Sequence, residues 1–90
     1  MSDEAVFIID GARTPMGGLG GTLSPVAAPQ LAAIAGRATL EKSGVDGNAV
    51  DEVFMGCVLP AGLRQCPARQ TAIAAGIPVS AGAVTVNKAC

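Results

Sequence analysis

Three short apolar runs, residues 5–10, 50–58 and 83–87, are separated by stretches long enough to hold a helix each. A β-α-β-α-β order follows, and with it the α/β class. Crossovers of that length join parallel strands and are right-handed. The sheet is therefore expected to be mostly parallel, with all three strand ends pointing the same way. In open α/β sheets, ligands bind outside the carboxyl ends of the strands. The glycine-rich loop after the first run, the loop after the second and the last residues of the third belong on that one edge.

The first run, Ala5-Val-Phe-Ile-Ile-Asp10, has no polar break. A strand covered on both faces reads this way. Gly11 ends it, and residues 12–24 form a loop with glycines at 17, 18, 20 and 21. This is no Walker A loop, which needs Gly-Lys-Ser/Thr. It is no dinucleotide fingerprint either, because Leu23 stands where the third glycine belongs. Arg13, just past the strand end, has two readings: an anion contact, or a tie from the loop to nearby carbonyls or an acid.

Residues 24–43 read as the first helix. Pro25 and Pro29 suit an N-terminal turn. Leu31, Ile34, Ala35 and Ala38 recur at helical spacing, with Gln30, Arg37 and Glu41 opposite. Gly44 is a natural terminator, and residues 45–49 form a turn. The second run follows, with Cys57 inside it as a small buried hydrophobe. A loop over 59–65 leads to a second helix from Pro67 to Ala75, closed by Gly76-Ile-Pro78.

The last run, Ala83-Val-Thr-Val-Asn-Lys-Ala-Cys90, delivers a thiol to the carboxyl end of a strand. A helix start there carries partial positive charge, which favours thiolate over thiol. That is a route to a nucleophile without a metal. Cys66 is the rival, at the N-cap of the second helix. Pro67 removes one of the N–H groups that would hold its thiolate.

The totals narrow the classes. With 90 residues, two Phe and no Trp or Tyr, the core must be built from small aliphatic side chains. Such a core is marginal at this length. Six basic residues are scattered against seven acidic ones, giving no basic footprint for nucleic acid. No run approaches the roughly 20 apolar residues of a membrane span. The acidic N-terminus resembles neither a signal nor a transit peptide. Three cysteines without a CxxC pair, and no His, form no metal spacing and suggest a reducing, cytoplasmic setting.

Two stretches resemble the thiolase family of acetyl-CoA acetyltransferases. Gly11-Ala-Arg-Thr-Pro-Met-Gly-Gly is similar to the family's loop after the first strand. Val86-Asn-Lys-Ala-Cys90 is similar to the segment carrying its acyl-accepting cysteine. Between them, Cys66-Pro-Ala-Arg-Gln70 resembles Asn-Pro-Ala-Arg-Gln, with Cys in place of the usual Asn, and Ala75-Gly-Ile-Pro78 also fits. The resemblance runs from about Val6 to Cys90.

The resemblance implies a layered αβαβα fold with two similar halves, of which residues 1–90 are the N-terminal part of the first. It implies Claisen condensation of two acetyl-CoA, or the reverse thiolysis of a 3-ketoacyl-CoA, with Cys90 taking the acyl group. The Cys90 backbone N–H would contribute to an oxyanion hole. A second cysteine and a histidine, both downstream, would move protons. Coenzyme A thioesters would be substrates, with no other cofactor and no metal. Partners would be the remainder of the thiolase chain and further copies, as a homodimer or homotetramer.

At a true carboxyl terminus, a carboxylate about 4 Å from the Cys90 thiol would oppose a thiolate by on the order of 4 kcal/mol. The rest of the enzyme is therefore expected in a further chain or segment, and these 90 residues alone are expected to lack turnover. Two other readings stand beside this one. One is a related condensing enzyme of the ketoacyl synthase or hydroxymethylglutaryl-CoA synthase kind. The other is a non-catalytic thiolase-like module that binds acyl-CoA or lipid.

Overall fold

The computed structural model describes residues 4–89, and Cys90 lies outside the described residues. Among the described residues, two helices and two strands make up the regular structure: α1 (Ala28–Ser43), β1 (Glu52–Gly56), α2 (Pro67–Ala74) and β2 (Gly82–Val86), with a 3-10 turn at Gly47–Ala49 before β1. The strands pair in parallel, with Glu52 opposite Gly82 and Gly56 opposite Val86. The α2 crossover joins them, so their carboxyl ends share one edge of the sheet.

Sheet alternation divides the strands cleanly. Val53, Met55, Ala83 and Thr85 are half-buried, while Phe54, Val84 and Val86 are exposed on the opposite face. Helix α2 packs on both strands and on α1. Its fully buried residues are Ala68 and Ala72, joined in the core by Ala33, Ala75 and Ala81. Buried Thr71 is satisfied by its hydroxyl, which donates toward the Pro29 carbonyl (3.3 Å) and lies 3.1 Å from the Met55 sulfur. Alanines set the helix spacing: a Cβ placed on Gly36 would meet the Ala75 Cβ at 3.7 Å, an ordinary contact.

Helix α1 starts later than its prolines suggested, at Ala28, with Pro29 in the first turn. The Gln30 amide oxygen accepts from the Ala27 N–H at 3.4 Å, half of a capping box. Gly44 ends the helix in the left-handed region, φ 73°, its N–H donating to the Leu40 carbonyl. The buried stripe differs in phase from the sequence reading. Pro29 and Ala33 are buried and Ile34 is exposed. The helix presents its smallest residues to α2, because close approach there outweighs the burial of one large side chain.

The first expected strand is not formed. Residues 5–10 have no ladder among the described residues, and Val6 and Ile8 are almost wholly exposed. Lys42, in the last turn of α1, donates to the Gly11 carbonyl at 2.9 Å and lies 3.5 Å from Asp10 Oδ1. That tie is exposed and light. The Gly11 N–H, and after it the Lys42 ammonium, hold the Asp10 carboxyl below its ordinary range. An apolar run becomes a strand only where a ladder partner exists. The radius of gyration, 14.3 Å, exceeds the roughly 12 Å of a compact chain this long.

Candidate active site

The carboxyl edge of the sheet carries two segments, as its parallel pairing requires. The loop over 57–66 leaves β1, and residues 87–89 leave β2 toward Cys90. The Cys57 N–H donates to the Val86 carbonyl at 2.8 Å, the last backbone bond joining the two at this edge. Cys57 itself is half-buried and lies just past β1, not inside it. Glu52 begins β1 at the opposite end, with Asp51 just before it.

The 59–65 loop turns by a Leu63 N–H to Pro60 carbonyl bond at 3.0 Å, with Gly62 at φ 79°. Gln70, from α2, donates its side-chain amide to the carbonyls of Leu63 and Gln65 and so pins the loop. Between loop and α1 lies an open cavity of about 300 Å³, lined by Pro29, Gln30, Leu63, Arg64 and Gln70. Two non-glycine residues here take left-handed backbone, Arg64 at φ 69° and Cys66 at φ 38°. Such conformations cost of order 1–3 kcal/mol and gather at functional segments.

Cys66 is the N-cap of α2, and its side chain makes no capping bond. Its exposed sulfur lies 3.5 Å from the Thr85 hydroxyl and 3.9 Å from the Ala83 carbonyl. That hydroxyl first of all, then the Arg69 N–H, hold the Cys66 thiol below its ordinary range. Thr85 also accepts from the Ala68 N–H at 3.0 Å. Sequence reading passed over Thr85. Its one signal was the strand alternation, which turns residue 85 toward the helix.

The glycine-rich loop folds on itself, with the Gly21 N–H donating to the Gly18 carbonyl at 2.9 Å and Gly20 at φ 64°. A Cβ on Gly21 would lie 3.0 Å from the Gly18 oxygen, so this turn needs its glycine. Arg13 is exposed, with no bonded partner among the described residues. The structure favours neither reading of it.

The family model for the thiolase N-terminal domain matches residues 6–90. The chain belongs to the thiolase family. It is similar to the acetyl-CoA acetyltransferase of Cupriavidus necator, 49% identical over 85 residues. A probable acetyl-CoA acetyltransferase of Mycolicibacterium smegmatis is 52% identical over 84. These stretches take in 94% and 93% of this chain and 22% of each relative. The crystal structure of the Acat5 thiolase from Ascaris suum, in complex with coenzyme A, superposes with a TM-score of 0.89 at 36% identity. That superposition covers 91% of this chain and 22% of the other. The thiolase segment described here thus spans about a fifth of the length of the relatives it matches, and its α/β architecture is that of a thiolase N-terminal segment.

Proposed function

We propose that this chain carries the acyl-accepting thiol of a thiolase-type acyltransferase, and that Cys90 is that thiol. The Cys90 thiolate attacks the carbonyl of acetyl-CoA. The carbonyl π electrons move onto oxygen, and the tetrahedral oxyanion is held by N–H donors, the Cys90 N–H among them. Collapse expels the coenzyme A thiolate and leaves an S-acetyl cysteine. A second acetyl-CoA, deprotonated at its methyl carbon, then attacks this thioester, giving acetoacetyl-CoA and the free thiolate. Thiolysis of a 3-ketoacyl-CoA is the same path reversed.

The observation that supports this most is the match to the thiolase N-terminal domain, which runs through residue 90. The parallel β1–β2 pair adds to it by sending the chain toward Cys90 from the carboxyl edge. The acid–base work falls to groups beyond this sequence, since it has no His. Two acetyl-CoA acetyltransferase relatives and a coenzyme A complex among the matches support coenzyme A thioesters as substrates. That no other cofactor takes part belongs to the proposal. Assembly as a homodimer or homotetramer and a cytoplasmic setting belong to the same proposal. The related condensing enzymes and the non-catalytic module rank below it, because the relatives named above are acetyltransferases.

Isotope exchange isolates the acylation half-reaction in the full-length enzyme, which holds the groups that move protons. Labelled coenzyme A should enter acetyl-CoA in the presence of the protein, and Cys90→Ser should abolish the exchange. Exchange undiminished by Cys90→Ser would remove Cys90 from the role. Net thiolysis by these 90 residues alone would contradict the assignment of the base to another segment.

A further inference from the structure

The loop over 59–65 is exposed except at half-buried Leu63. Its own backbone gives it one bond, from the Leu63 N–H to the Pro60 carbonyl. Among the described residues, one side chain from outside ties it down. Gln70 Nε2 donates to the Leu63 carbonyl at 2.5 Å and to the Gln65 carbonyl at 2.8 Å. The amide nitrogen has two hydrogens, and both are used. Both partners are carbonyl oxygens, so the nitrogen, not the amide oxygen, must face the loop.

Each of these carbonyls belongs to the peptide group just before a left-handed residue. Leu63 precedes Arg64, at φ 69°, and Gln65 precedes Cys66, at φ 38°. A residue's φ is measured against the peptide plane before it, so holding that carbonyl holds φ. Gly62 takes the same region at φ 79° without steric cost. Arg64 and Cys66 have a Cβ and stay there only where the surroundings over-determine them.

We infer that Gln70 is a latch: it holds the 59–65 loop in a backbone that Arg64 and Cys66 would otherwise leave. The latched loop keeps open the cavity of about 300 Å³ against α1, with Leu63 and Arg64 on one wall and Pro29 and Gln30 on the other. Releasing the amide lets both residues return to negative φ, and the loop loses its fixed shape. None of this depends on which thiol accepts the acyl group.

Digestion of the full-length protein with an arginine-specific protease, followed by peptide mass mapping, reads the latch at the Arg64–Gln65 bond. Gln70→Met, of similar length but without donors, should speed that cleavage by roughly tenfold, the scale of one or two lost hydrogen bonds. Gln70→Lys, whose ammonium donates to both carbonyls, should restore slow cleavage. Cleavage at Arg37, inside α1, should not change. The strain has a separate readout. Arg64→Gly removes the cost of left-handed backbone only where the latch imposes it. Its effect on Tm should therefore be more favourable in the otherwise unaltered protein than in Gln70→Met. Cleavage at Arg64 indifferent to Gln70→Met overturns the inference. So does cleavage that rises equally at Arg37, which marks general loosening. Equal Tm effects of Arg64→Gly in the two backgrounds overturn it as well, because the loop then needs no holding.

Discussion

Cys66 shows how much one hydroxyl can do. Two cysteines in the described part differ sharply in setting: Cys57 is half-buried beside the strand ladder, and Cys66 is exposed at a helix start with Thr85 against its sulfur. Alkylation at neutral pH should therefore be faster at Cys66 than at Cys57, and peptide mapping after a short iodoacetamide pulse reads the order directly. The pH dependence has a definite sign. A thiol held below its ordinary value of 9.0 contributes stability above its unfolded-state pKa and loses it as pH falls through the folded value. Thr85→Val should thus cost more stability at pH 10 than at pH 6, as urea midpoints at the two pH values will show. The strand that leads toward Cys90 was legible, because its alternation of Val84 and Val86 with Thr85 is a local pattern. Thr85 was not, because its partners lie 17 and 19 residues away.

At the scale of elements, helices α1 and α2 and strands β1 and β2 fall close to where periodicity and terminators put them, and Gly44 stops α1 as expected. The buried face of α1 was misread. Apolar spacing favours Ile34, whereas the structure buries Ala33 against α2 and leaves Ile34 outside. Side-chain size says what gains from burial; it does not say which face a neighbouring alanine helix can approach. Two glycines expose the difference. Gly36→Ala adds a methyl with room to spare and removes backbone freedom, so it should stabilise by about 0.5–1 kcal/mol. Gly47→Ala would put a Cβ 2.8 Å from the Gly76 carbonyl oxygen and should destabilise, since backbone must move. Thermal melts of the two variants should shift in opposite directions. Cys66→Asn should raise Tm by about 4 °C, because Asn both caps α2 and tolerates left-handed backbone.

At the scale of the molecule, two stretches of open apolar surface stand out among the described residues. Phe54, Val84 and Val86 line one face of the sheet, and Val6, Phe7, Ile8 and Ile9 lie along an arm without a ladder. The sequence marked residues 5–10 as strand because it reports hydrophobicity, while a strand also needs a partner's N–H and C=O groups. Ile8→Asp should accordingly leave the stability of this chain within about 0.5 kcal/mol, the range of surface changes. A loss well beyond that in urea unfolding would show that the arm is packed after all. The parallel pair β1 and β2, joined by α2, leads the chain to residue 89 without any bond from the arm to either strand among the described residues. Peptide mass mapping after incubation with acetyl-CoA asks the central question most directly. The account predicts one acetyl group, on the peptide that contains Cys90 and labile to hydroxylamine; an acetyl group on Cys57 or Cys66 with none on Cys90 would contradict it.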